Sequence, residues 1–203
     1  MEVPARIVLA SANPKKVAEL AAILADLDVR TAAGDPVELV PRPEEVPEVV
    51  EDAPDFVGNA RLKAVALADA TGEVALADDS GLVVDALGGA PGVRSARYAG
   101  EDASDADNVE RLLAELSGVA DRSARFVCVL VVRAPGGDEL VVDGRVEGRI
   151  AMSPVGDAGF GYDPVFEPAE GDGRTFAEMD AAEKSAISHR GRALRSLVAA
   201  LAG

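Results

Sequence analysis

The sequence predicts an α/β fold, and the opening of the chain carries most of that expectation. Arg6-Ile-Val-Leu-Ala10 reads as a buried strand. Ser11-Ala-Asn-Pro14 follows as a tight turn, in which Asn13 suits an N-cap and Pro14 the first helical position. Val17, Leu20, Ala21 and Leu24 then recur at helical spacing, so a helix is expected over residues 14–27. A strand, turn and helix in that order, this early, point to layered α/β architecture.

The remaining elements follow the same reasoning. Residues 34–54 are rich in Pro, Glu and Asp and read as irregular or weakly stranded. A second helix is expected over 56–70. Val74-Ala-Leu-Ala77 reads as a short buried strand ending at Asp78 and Asp79, residues 82–87 as a further strand, and 88–92 as a loop. Ser104 with Asp107 three residues on resembles a capping box. Val109, Leu112, Leu113 and Leu116 form the helix that follows, and Gly118 closes it. Residues 124–133 and 139–142 read as antiparallel strands joined around Pro135-Gly-Gly137, the second with room to run on to Ile150. A C-terminal helix carries Ile187, Leu194, Leu197, Val198 and Leu201 on one stripe. With no internal repeat and no long linker, residues 1–203 fit a single domain with room for a small lobe.

Composition narrows the function classes. The formal charge of −16 sets up a field that repels nucleic acid, so a DNA- or RNA-binding role is not expected. A small anionic substrate remains open where a few Lys and Arg converge, because salt screening shortens the reach of the bulk charge to about 8–10 Å. Apolar residues make up 48% of the chain, enough for a real core, while aromatics are 3% and Trp is absent. Ala, Val and Leu must therefore build that core, and each aromatic matters. Cys128, inside Phe126-Val-Cys-Val-Leu-Val-Val132, is the one cysteine. It reads as core filling, with no disulfide to indicate an oxidising compartment. No signal peptide and no apolar run long enough to cross a bilayer are recognised, so the cytoplasm is the expected compartment.

Five features carry chemistry. Asp78 and Asp79 are adjacent carboxylates at the end of an apolar run, costly to bring together unless cations or protons neutralise them. Strand alternation would let one bind a divalent metal while the other faces a water. An oxygen-only site favours Mg²⁺ over Zn²⁺, and Glu51 or Asp52 can add a ligand. The competing reading is an exposed turn before Gly81. Lys16 lies in the first turn of its helix, where backbone N–H groups favour an anion, and with Ser11 and Asn13 it forms a candidate phosphate cradle. Lys63 shares a helix face with Phe56, Ala60 and Leu67, and either snorkels to solvent or reaches into a cleft. Gly159-Phe160-Gly161-Tyr162-Asp163-Pro164 either presents a ring to a base or folds its aromatics into the core. His189, the one histidine, stands beside Arg190, whose planar fork suits carbonyl or phosphate oxygens. A hydrolase triad around Ser188 is a poor reading, because no G-x-S-x-G elbow is present.

Together these motifs resemble one family, the Ham1/RdgB-type non-canonical purine nucleoside triphosphate pyrophosphatases. The resemblance rests on Ser11-Ala-Asn-Pro-Lys-Lys16, Asn59-Ala-Arg-Leu-Lys-Ala64, Ala77-Asp-Asp-Ser-Gly-Leu82, Gly89-Ala-Pro-Gly-Val-Arg-Ser-Ala-Arg-Tyr98, Gly159-Phe-Gly-Tyr-Asp-Pro164 and Glu183-Lys-Ser-Ala-Ile-Ser-His-Arg-Gly191. They occur in the family's order over almost the whole chain. The resemblance implies an elongated α/β fold: a long mixed sheet flanked by helices, two lobes, a central cleft and usually a homodimer. It also implies Mg²⁺-dependent hydrolysis of ITP, dITP and XTP to the monophosphate and pyrophosphate. By the same resemblance Ser11, Asn13, Lys16 and Lys63 contact the triphosphate, Glu51 and Asp78 are metal-associated, and Asp79 is the general base. Ser80 and Gly81 complete that loop, Phe160 stacks on the base with Gly161, Tyr162 and Asp163 shaping its pocket, and Lys184, His189 and Arg190 read the purine edge. Asp52-Ala53 replaces the family's usual Thr-Gly after the metal glutamate, and Arg94 stands where an aromatic is common. Two other readings stay open at this point: a Maf-like pyrophosphatase for modified pyrimidine nucleotides, and a nucleotide-binding protein without catalysis.

Overall fold

A computed structural model describes residues 4–11, 13–27, 29–31 and 33–202. Ala12 of the predicted first turn lies outside the described residues. The strands β1 (Arg6–Leu9), β2 (Glu38–Pro41), β3 (Ala75–Val84), β4 (Ser123–Arg133), β5 (Glu139–Ile150) and β6 (Phe166–Pro168) form one sheet in the order β2-β1-β3-β4-β5-β6. The sheet is mixed: β1 runs parallel to β2 and β3, and β6 antiparallel to β5. The helices are α1 (Pro14–Asp26), α2 (Phe56–Thr71), α3 (Asp105–Glu115), α4 (Ala181–Ile187) and α5 (His189–Ala202). The fold is α/β, as the sequence predicts.

Local chemistry explains where the helices start. The Asn13 side chain accepts from the N–H groups of Lys15 and Lys16, with Pro14 next in line. Asp55 caps α2 by accepting from Gly58 N at 2.7 Å, and Gly72 ends that helix with φ +68°. Ser104 and Asp107 make the predicted capping box on α3.

The chain divides into two compact units, and β3, β4 and β5 each give residues to both. The first unit holds residues 1–79, 128–144 and 190–203; its core packs Ile7, Leu9, Leu20, Ile23, Leu76, Cys128, Leu130 and Leu194. Cys128 is buried there and its thiol is pushed up by burial, so it is a packing residue, as expected. The second unit holds residues 80–127 and 145–189. Its core includes Leu82, Val109, Leu112, Phe126, Val146, Phe166 and Phe176. Among the described residues no helix is long and apolar enough to cross a membrane.

Two expectations are corrected. The strand expected to end at Asp78 instead runs on without a break from Ala75 to Val84, and residues 85–87 form a 3₁₀ turn in place of strand. The aspartates need not leave the sheet, because lysines meet them there. The single C-terminal helix is two helices, broken where Ser188 takes an extended backbone (φ −68°, ψ 159°). Ile187 packs on the core of the second unit and Leu194, Leu197 and Leu201 on that of the first, so they share no stripe.

Candidate active site

The first unit gathers the ionic residues. Asp78 and Asp79 are 3% and 5% exposed, and the alternation of β3 gives them different partners. Lys16 reaches from the first turn of α1 to Asp78, Nζ to Oδ2 3.3 Å. Lys63, from the middle of α2, lies 3.2 Å from Glu51 Oε1 and 3.7 Å from Asp79 Oδ1. Of the two paths open to Lys63, it takes the inward one. Asn59, one helical turn before Lys63, donates from Nδ2 to Asp79 Oδ2 at 3.2 Å and accepts from Ala53 N at 3.0 Å. It thereby fixes both the aspartate and the backbone two residues after Glu51. Arg190, at the start of α5, is buried and donates to Glu19 Oε2 of α1 at 2.6 Å. Ser11 Oγ accepts from Asn13 N at 3.3 Å just ahead of α1.

The two aspartates are driven in opposite directions. Burial pushes the Asp79 carboxyl up, to about 6, against the pull of Lys63, and Glu51 adds to the rise. Burial also opposes ionisation of Asp78, but Lys16, then Arg190 and Lys63, outweigh it and hold that carboxyl down at about 2. Asp78 is therefore a permanent anion, whereas Asp79 exchanges a proton close to neutrality. Such a pair, split by its surroundings, is a common division of labour between a fixed charge and a base.

A metal fits this chemistry in part. Among the described residues no three of His, Cys, Asp and Glu form a metal-holding group. Instead the ammonium groups of Lys16 and Lys63 sit among the carboxylates of Asp78, Asp79 and Glu51. Every donor is a hard oxygen, and Mg²⁺ is usually bound through one or two carboxylates plus substrate phosphates, not through an all-protein cage. The residues therefore suit a cation that arrives with a nucleotide.

The second unit gathers the aromatic turn. Gly159 and Gly161 have φ of +75° and +60°, and Phe160 is half-buried between them. Asp163 Oδ2 accepts from both Phe160 N and Lys184 Nζ, each at 2.8 Å. The Lys184 ammonium lies 5.1 Å from the Phe160 ring centroid. Tyr162 is buried in the core and its hydroxyl donates to Ser95 O at 2.9 Å. The turn thus divides its aromatics: Tyr162 folds inward and Phe160 is left partly accessible. His189 is 2% exposed and stacks on Phe126 at 4.7 Å and 9°. Ser80 is partly buried in β3.

Glycine at 159 has a specific cause. A Cβ there would lie 2.1 Å from Asp163 Oδ2, the oxygen that holds both Phe160 N and Lys184. We expect Gly159→Ala to displace the turn and to destabilise the protein by about 1–3 kcal/mol. Thermal denaturation beside nucleotide KM checks this; an unchanged Tm and KM would contradict it.

Sequence reasoning assigned no role to Asn59, Glu19 or Asp105, whose carboxylate accepts from Gly161 N at 2.9 Å. Asn59 carried a usable signal, since it stands four residues from Lys63 on the same helix face. Glu19 stands three residues from Lys16, but nothing local tied it to Arg190.

The sequence profile of the Ham1 family matches residues 7–200. A dITP/XTP pyrophosphatase of Streptomyces coelicolor is 49% identical over 197 residues, which cover 95% of each chain. The structure of a HAM1 protein from Coxiella burnetii superposes with a TM-score of 0.86 at 44% identity, over 98% of this chain and 99% of that one. A Mycobacterium abscessus structure, described as a nucleoside-triphosphatase / dITP/XTP pyrophosphatase, gives a TM-score of 0.75 at 47% identity over 95% and 97%. With the match running from β1 into α5, the chain belongs to the Ham1 family.

Proposed function

We propose that this protein hydrolyses non-canonical purine nucleoside triphosphates, ITP, dITP and XTP, to the monophosphate and pyrophosphate, and so cleanses the nucleotide pool. The observation that carries this reading is the pair of buried neighbours in β3. Asp78 is held ionised by Lys16, while Asp79 is poised near neutrality beside Lys63. The relatives named dITP/XTP pyrophosphatase support the choice of substrate.

In the first unit Lys16 and Lys63, with Ser11 and Asn13, bind the triphosphate. One or two of the carboxylates of Glu51, Asp78 and Asp79 would hold Mg²⁺ together with substrate phosphates. When bound, the ion offsets phosphate charge and stabilises the charge that develops in the transition state. Asp79, ionised above its pKa of about 6, accepts a proton from the attacking water. The new bond forms between water oxygen and the α-phosphorus. The bond from the α-phosphorus to its bridging oxygen breaks, and pyrophosphate leaves with that electron pair. Asn59 keeps the accepting carboxylate in place.

In the second unit Phe160 stacks on the purine and Lys184 donates to the 6-oxo oxygen. Adenine places an amino group there, so ATP would set a donor against a donor, a costly mismatch. His189 supports the same pocket from Phe126. The net charge of −16 suits free nucleotides over nucleic acid, and we assign the protein to the cytoplasm as a homodimer. Hydrolysis of ITP in ¹⁸O-water tests the chemistry. The label belongs in IMP, with pyrophosphate in equal amount; IDP and phosphate as products would contradict the proposal.

A further inference from the structure

Phe160 is held between two peptide N–H groups, and each is taken by a different carboxylate. Its own N–H goes to Asp163, within the turn. The next, of Gly161, goes to Asp105 Oδ2, which is 56 residues away in sequence and is the first residue of α3. The capping of α3 does not use Asp105. Ser104 and Asp107 make that box, with Asp107 N donating to Ser104 Oγ at 3.2 Å and Ser104 N to Asp107 Oδ2 at 2.8 Å.

Gly161 gives a reason why an outside anchor is needed. Its φ is +60°, and nothing lies within 4 Å of where a Cβ would be. No side chain of its own packs the tip of the turn. A glycine of this kind is conformationally free until its peptide is bonded. Asp105 supplies that bond from the rigid start of a helix, and together with Ala106, Val109, Phe160 and Pro164 it lines one groove of about 530 Å³.

We infer that Asp105 is a positioning residue for base recognition: through the Gly161 N–H it fixes the plane of the Phe160 ring. The inference rests on the stacking role assigned to Phe160 above. Asp105 acts through the Gly161 N–H, from which it accepts at 2.9 Å. Its effect falls on ground-state and transition-state binding alike, hence on KM and not on kcat.

The test is steady-state pyrophosphate release from ITP with Mg²⁺ for wild type, Asp105→Ala, Asp105→Asn and Ser104→Ala. Asp105→Ala should raise KM about three- to ten-fold, the worth of one hydrogen bond, and leave kcat within about two-fold. Asp105→Asn keeps an acceptor oxygen and should restore most of the loss. Ser104→Ala weakens the start of α3 without touching Gly161 and should keep the wild-type KM. A wild-type KM in Asp105→Ala, or an equal rise in Ser104→Ala, would overturn the inference while leaving the proposed activity intact. A wild-type protein that releases no pyrophosphate from ITP would overturn both.

Discussion

Asp79→Asn should fold, gain stability and lose turnover. Its kcat on ITP is expected to fall about 10²–10⁴-fold, the usual loss when a general base is removed. The substitution keeps the shape of the side chain and an oxygen for the Asn59 amide, so the pocket survives. Stability moves the other way. The carboxyl titrates at about 6 in the folded protein against an ordinary 3.8, so the folded state favours its protonated form. The penalty for ionising it is absent below pH 3.8, grows between 3.8 and 6, and is complete above 6. A shift of that size corresponds to on the order of 2–3 kcal/mol, which Asn removes. Without metal or nucleotide, Tm at pH 7.5 should rise by several degrees, and the gain should vanish near pH 4. Near-normal turnover would take Asp79 out of the role of base.

The same substitution one residue earlier has the opposite sign. Asp78 is held at about 2 by Lys16, Arg190 and Lys63, against an ordinary 3.8. Its ionisation stabilises the fold above pH 3.8, and that contribution fades as pH falls from 3.8 towards 2. Asp78→Asn leaves the Lys16 ammonium, 3.3 Å away and largely buried, against a neutral amide. Breaking a buried pair from one side costs about 3–5 kcal/mol. Tm should therefore drop by about 10 °C at neutral pH for a chain of this length. Activity should fall with it, since Lys16 loses the charge that orients it. A Tm that rises in both variants, or falls in both, would contradict the opposed electrostatics assigned to the two residues.

That opposition marks the boundary of what the sequence discloses. The strand and helix at the N-terminus were legible, because Asn13 and Pro14 act on their own neighbours. The capping box at Ser104 was legible for the same reason. Two adjacent aspartates before a glycine look locally like a place where a strand must stop. They stay inside β3 because Lys16 and Lys63 arrive from helices 62 and 16 residues earlier, and no local rule predicts those arrivals. The break at Ser188 was missed because apolar spacing cannot show that Ile187 and Leu194 serve different cores. Likewise, the residues of the turn do not by themselves separate Tyr162 from Phe160; only the family resemblance does. The hydroxyl of Tyr162 finds Ser95 O in the core, and only Phe160 keeps a partly accessible ring.

The proposed activity cuts between the α- and β-phosphates and separates ITP and XTP from ATP by the 6-position of the purine. The most direct measurement is kcat/KM for pyrophosphate release from ITP, XTP, GTP and ATP, each with and without Mg²⁺. ITP and XTP should exceed ATP by two orders of magnitude or more, on the order expected when a site's buried donor is left unmatched, and all release should need the metal. Equal rates on ITP and ATP, or pyrophosphate formed as fast without Mg²⁺, would contradict the account.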